Sequence, residues 1–205
     1  MGLLLVTGQF TSCDNKLIST IENTATNIEN TNIKKTKVEV FRQPVVFITG
    51  IDKETNKFYK NAREYFINKK YEVVDYTFSL QEVFTWLNNN YDGNIYGEIH
   101  IVAHGNPWRG LSMETLINGE RVTTEHLRKA ITMGELPTLK DGISKNTKVV
   151  FHSCGLGENT DLMKTLKDAF VGDEVPSVLA SPYYTIFGGE FSEHYLAKPY
   201  YVFHP

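Results

Sequence analysis

Short apolar runs rich in β-branched residues alternate along this chain with stretches whose apolar residues recur three and four apart, and nothing else constrains its fold as strongly. The strand-like runs are Val45 to Gly50, Tyr71 to Phe78, Ile99 to Ala103, Lys148 to Phe151 and Ser177 to Ser181, with Tyr200 to Phe203 as an edge strand. Between them, Phe58, Tyr59, Ala62, Tyr65 and Phe66 share one helical face. Ser79-Leu80-Gln81-Glu82 is a capping box that opens a second helix with Leu80, Val83, Phe84 and Leu87 inward. Thr124 is expected to cap a third helix burying Leu127, Ala130 and Ile131. Asn159 or Thr160 caps a fourth, burying Leu162, Met163, Leu166 and Phe170.

Strands that alternate with helices form a mainly parallel sheet covered on both faces, a three-layer α/β sandwich. Right-handed crossovers favour the strand order 2-1-3-4-5. One segment breaks the alternation. Leu111 to Val122 carries Asn118-Gly119, which predicts a short hairpin insertion after the third strand.

Two of the runs end in chemistry. Ile99-His100-Ile101-Val102-Ala103 leads into His104-Gly105, and Val149-Val150-Phe151-His152-Ser153 leads into Cys154-Gly155-Leu156-Gly157. In parallel sheets the carboxyl ends of the strands are where ligands and reactive groups gather. A free thiol with a pKa near ~8.5 is mostly protonated at neutral pH, and an adjacent imidazole is what activates it. His104 is therefore the candidate base and acid, and Cys154 the candidate nucleophile. The N–H groups of Gly105 and Cys154 are candidates for an oxyanion hole.

This pattern resembles the caspase-like (clan CD) cysteine peptidases, bacterial members included: an apolar strand then His-Gly, and later an apolar strand, a small residue and Cys. The resemblance spans about Pro44 to Phe187 in element order and is motif-deep in the two loops. The histidine lies about 50 residues before the cysteine, the offset that caspases share. It implies a caspase-like fold and a cysteine endopeptidase acting on polypeptides through His104 and Cys154, with a thioester acyl-enzyme and no cofactor. The chain departs from the family at specificity positions. His152 stands where metacaspases carry Asp and caspases Gln, so no arginine, lysine or aspartate preference carries over.

Other side chains have a structural alternative to a functional role. His152 lines a substrate pocket or simply packs, and Trp108 floors a substrate cleft or forms a structural lid. His100 faces away from Ile99 and Ile101, as a core or partner-facing group. Glu158 and Asp161 are better explained by the helix amino terminus they precede than by selection of a basic substrate. Two rival functions differ in class. A non-catalytic binding module on the same scaffold predicts a degraded dyad, whereas His104, Gly105 and Cys154 are all present. An α/β-hydrolase esterase needs a G-x-S-x-G elbow, which the chain lacks.

Bulk properties narrow the partners. A net charge of −3 without a lysine or arginine cluster gives no nucleic-acid footprint. Two distant cysteines and the histidine spacings match no standard metal site, so no metal is expected. No run approaches the ~18 apolar residues of a membrane-spanning helix. Leu3-Leu4-Leu5-Val6 followed by small residues and Cys13 resembles the end of a bacterial lipoprotein signal, although Phe10 is atypical and a basic start is missing. It implies lipidation of Cys13, a lipid anchor to the membrane and a place in the cell envelope, with a cytoplasmic location as the alternative. The expected organisation is a signal-like segment over 1–13, an Asn/Thr-rich flexible tether over 14–37 and the α/β domain over 38–205.

Overall fold

The computed structural model describes residues 39–183, Phe187 and the backbone of 201–203, which belong to one compact unit. The signal-like segment, Cys13 and the tether lie outside the described residues. Ten strands and four α-helices follow in the order β1 (Phe41–Arg42), β2 (Val45–Ile48), α1 (Lys57–Asn68), β3 (Glu72–Val74), α2 (Leu80–Asn89), β4 (Ile95–Tyr96), β5 (Glu98–Val102), β6 (Gly105–Asn106), β7 (Gly110–Leu111), α3 (Thr124–Thr132), β8 (Lys148–His152), α4 (Thr160–Ala169), β9 (Ser177–Ala180) and β10 (Tyr201–Phe203) among the described residues.

The main sheet runs β10-β9-β8-β5-β2-β3, with β10 antiparallel to β9 and every other pairing parallel. Counting only the five parallel strands, this is the expected 2-1-3-4-5 order. Alternation decides which side chains go where. Val46, Ile48 and Val102 face α1 and meet Tyr59, Ala62 and Phe66, with Phe187 alongside. Val45, Phe47, Ile99, Ile101, Val149, Phe151 and Val178 face the other way, against α2, α3 and α4. Each fully buried side chain of this size contributes about 1.5–3 kcal/mol, so both faces hold the sheet in place.

The helix starts follow local hydrogen bonding. Ser79 Oγ accepts from Glu82 N at 3.1 Å, while Glu82 Oε2 accepts from Ser79 N at 2.8 Å, completing the capping box. Asn159 Oδ1 accepts from Leu162 N at 2.9 Å. The cap of α3 is Thr123 rather than Thr124: Thr123 has the extended backbone of a cap and its Oγ1 accepts from His126 N at 3.2 Å.

Two expectations fail locally. The second strand stops at Val74 instead of running to Phe78. Its pairing with β2 ends at Val74, opposite Phe47, one residue before β2 itself ends at Ile48. The carbonyls of Asp75 and Thr77 turn instead to the ammonium of Lys53, a lysine only 5% exposed. Burial pushes the Lys53 pKa down from its usual range. The insertion does reverse the chain, with Thr115 N donating to Glu120 O at 2.7 Å, but Asn118-Gly119 is not a tight two-residue turn. Gly119 N donates to Leu116 O at 2.9 Å and only Asn118 takes positive φ, at 56°. The antiparallel pair nearest the strand end is instead β6 with β7.

Candidate functional site

β5 and β8 are neighbours in register, with Val102 opposite His152 and Ala103 N donating to His152 O at 3.3 Å. His104 and Cys154 each follow two residues after that last register pair. The structure thus brings both to the carboxyl edge of adjacent parallel strands.

His104 is held by ring packing and two backbone hydrogen bonds. Phe58 of α1 stacks on its ring at 4.4 Å between centroids, and Tyr59 meets it edge-on at 5.0 Å. Its backbone N–H donates to Tyr59 Oη at 2.9 Å, and its carbonyl accepts from Ser112 N at 2.6 Å. Burial raises the Tyr59 pKa, so this phenol stays protonated throughout the neutral range. The Nε2 of His104 is buried and has no hydrogen-bond partner among the described residues. An imidazole oriented by aromatic packing with an uncommitted nitrogen is suited to exchange a proton with a reacting group.

Cys154 is half-buried and outside any disulfide. The turn after it requires glycine, since Gly155 has φ 63° and a Cβ there would lie 2.9 Å from Pro107 Cδ. Gly155 N donates to Tyr183 O at 3.0 Å and Gly157 N to Ser181 O at 3.0 Å. Asn159 Nδ2 donates to Pro107 O at 2.7 Å. The loop carrying Cys154 is therefore clamped between the loop after β5 and the loop after β9. A short 3-10 turn, Leu156–Glu158, separates Cys154 from α4, which keeps that helix dipole away from the thiol.

Gly105 also has a packing reason to lack a side chain. A Cβ there would lie 2.3 Å from Ser153 Oγ and 2.8 Å from Gly110 O. Ser153 itself is fully buried, so the two loops touch through this pair. Trp108 is 87% exposed at the tip of the β6–β7 hairpin, one residue from Pro107, which lies against Gly155.

His152 is 4% exposed and packs inward. Its Nε2 lies 2.9 Å from His100 Nδ1, and His100 Nε2 lies 3.3 Å from Glu98 Oε2. The hydrogen bond from His100, outweighing burial, holds the Glu98 carboxyl below its usual range; the charges of His100 and Lys148 and a bond from Tyr71 act the same way. An ionised carboxylate only accepts, so His100 Nε2 carries the hydrogen. Its Nδ1 shares the second hydrogen bond with His152 Nε2, the tautomers of the two rings setting which one donates. This chain stitches β5 to β8 beneath Phe66 of α1, whose ring lies 5.4 Å from His100 and 5.3 Å from His152. Sequence reasoning missed the pair. The visible signal was two histidines on apolar strands, each an even number of residues before the site residue of its own strand, hence on one face.

Among the described residues no group of His, Cys, Asp and Glu is placed to hold a metal ion, and no helix is long and apolar enough to cross a membrane. Two open grooves lined by described residues, each about 460 Å³, lie along α3 at Thr124, Arg128 and Thr132 and between α2 and Pro137–Asp141. Neither contains His104 or Cys154. Comparison with protein-family models, characterised proteins and solved structures returned no match.

Proposed function

We propose that the protein is a caspase-like cysteine peptidase that hydrolyses peptide bonds with His104 and Cys154. The observation carrying this reading is the register of β5 and β8, which sets the imidazole-bearing loop beside the thiol-bearing loop at one edge of the sheet. In the reaction, His104 takes the thiol proton and the thiolate adds to the scissile carbonyl carbon. The oxyanion is held by the N–H groups of Gly105 and Cys154. His104 then gives its proton to the departing amine as the C–N bond breaks, leaving a thioester on Cys154. Water, deprotonated by His104, adds to the thioester; the sulfur leaves as thiol and the product as acid. No cofactor enters any step.

The test is a broad peptide library incubated with the full chain, with Cys154→Ala as control. Cleavage that disappears in the control supports the peptidase. Binding of a peptide or protein without cleavage by the wild type replaces it with a non-catalytic docking role on the same scaffold.

A further inference from the structure

The loop after Cys154 is gripped by two neighbours, and each presents an aromatic residue at the surface. Pro107 lies against Gly155 and accepts from Asn159, and the next residue, Trp108, is 87% exposed. On the other flank Tyr183 O accepts from Gly155 N, and Tyr183 is 63% exposed. Trp108 is not on a loose loop. Asn106 Oδ1 accepts from both Trp108 N, at 3.0 Å, and Arg109 N, at 2.6 Å, while Gly105 and Asn106 pair with Leu111 and Gly110. A backbone-anchored tip showing this much indole to water forgoes hydrophobic stabilisation, and a ligand covering it does not have to order the loop as well. Large rigid aromatics carry a disproportionate share of binding energy where they line a contact.

We infer that Trp108 and Tyr183 flank a subsite beside Cys154 that receives an aromatic or large aliphatic side chain of an extended polypeptide substrate. This rests on the peptidase reading for its location, but occupancy of the subsite can be measured without turnover. Glu158, exposed in the turn after Cys154, and Arg109, exposed beside Trp108, define the competing outcomes, in which a basic or an acidic side chain is preferred.

The chain contains two tryptophans, and Trp86 is 8% exposed, so acrylamide quenching of tryptophan fluorescence reports chiefly on Trp108. The full chain carrying Cys154→Ala is titrated with acetyl-Ala-Ala-Phe-Gly-amide and with the same peptide bearing Arg or Asp in place of Phe. The Phe peptide should shield Trp108 at concentrations about tenfold lower than the other two. In the active protein, Trp108→Ala should raise KM for the Phe peptide about tenfold with a much smaller change in kcat, and Trp108→Phe should restore most of the loss. Shielding without cleavage by the wild type upholds the subsite while refuting the peptidase. Equal or better shielding by the Arg or Asp peptide, or no shielding by any of the three, overturns the subsite.

Discussion

Tyr59→Phe removes one oxygen atom and leaves a ring of the same shape, yet the oxygen it removes holds the backbone of His104. Tyr59 is 1% exposed, and its Oη accepts the His104 N–H at 2.9 Å. Without it that N–H sits beneath α1 with no acceptor, and leaving a buried donor unpaired costs about 1–3 kcal/mol. The apolar contribution changes little, because the ring and its edge contact with the imidazole remain. For a domain of this size each kcal/mol lowers Tm by roughly 2–4 °C, so a fall of about 2–12 °C is expected. Burial keeps the phenol protonated, so the effect should be the same from pH 6 to 8. Urea unfolding followed by circular dichroism should show a lower midpoint with an unchanged slope. Peptide hydrolysis should fall as well, since His104 loses one of its two backbone anchors. A variant as stable and as active as the wild type would refute the claim that this hydroxyl positions His104.

The remaining expectations concern other parts of the molecule. Glu98→Gln should cost about 1 kcal/mol or less at neutral pH, because the carboxylate is partly exposed and screened. Its folded-state pKa lies below the unfolded value, so its contribution is present above about pH 4.3 and is lost as the pH falls through the folded pKa. Urea midpoints of wild type and Glu98→Gln should therefore converge in acid. Gly105→Ala should lower the urea midpoint as well as turnover, because the added methyl meets Ser153 Oγ and Gly110 O. Cys13→Ala should abolish incorporation of a labelled fatty acid in bacterial cells without changing hydrolysis. An unlabelled wild type would count against the anchor.

Much of this architecture is legible in local pattern. The strand order follows from alternating elements and crossover handedness, and Ser79 with Glu82 marks the start of α2 because both partners of the capping box lie within one turn. What eluded the sequence depends on distant partners. Nothing around Lys53 reveals that its ammonium will take the carbonyls of Asp75 and Thr77 and so cut β3 short. Asn118-Gly119 signals a reversal, but not that four residues, Leu116 to Gly119, separate the paired Thr115 and Glu120. His104 and Cys154 stand out because each ends an apolar run before glycine. His100 and His152 do not, since their bond exists only once β5 and β8 are in register. Gly105 stands out in the sequence as an oxyanion-hole candidate beside His104, while its contact with Ser153 follows from the packing of two loops far apart in sequence.

Single and double removal of the dyad tests the central claim most directly. Rates of peptide hydrolysis are measured for wild type, His104→Ala, Cys154→Ala and the double variant, each confirmed as folded by circular dichroism. If the imidazole and thiol act as one unit, each single change removes nearly all activity and the double variant is scarcely slower than either. Hydrolysis that survives Cys154→Ala, or losses that multiply in the double variant, would contradict a shared His104–Cys154 mechanism.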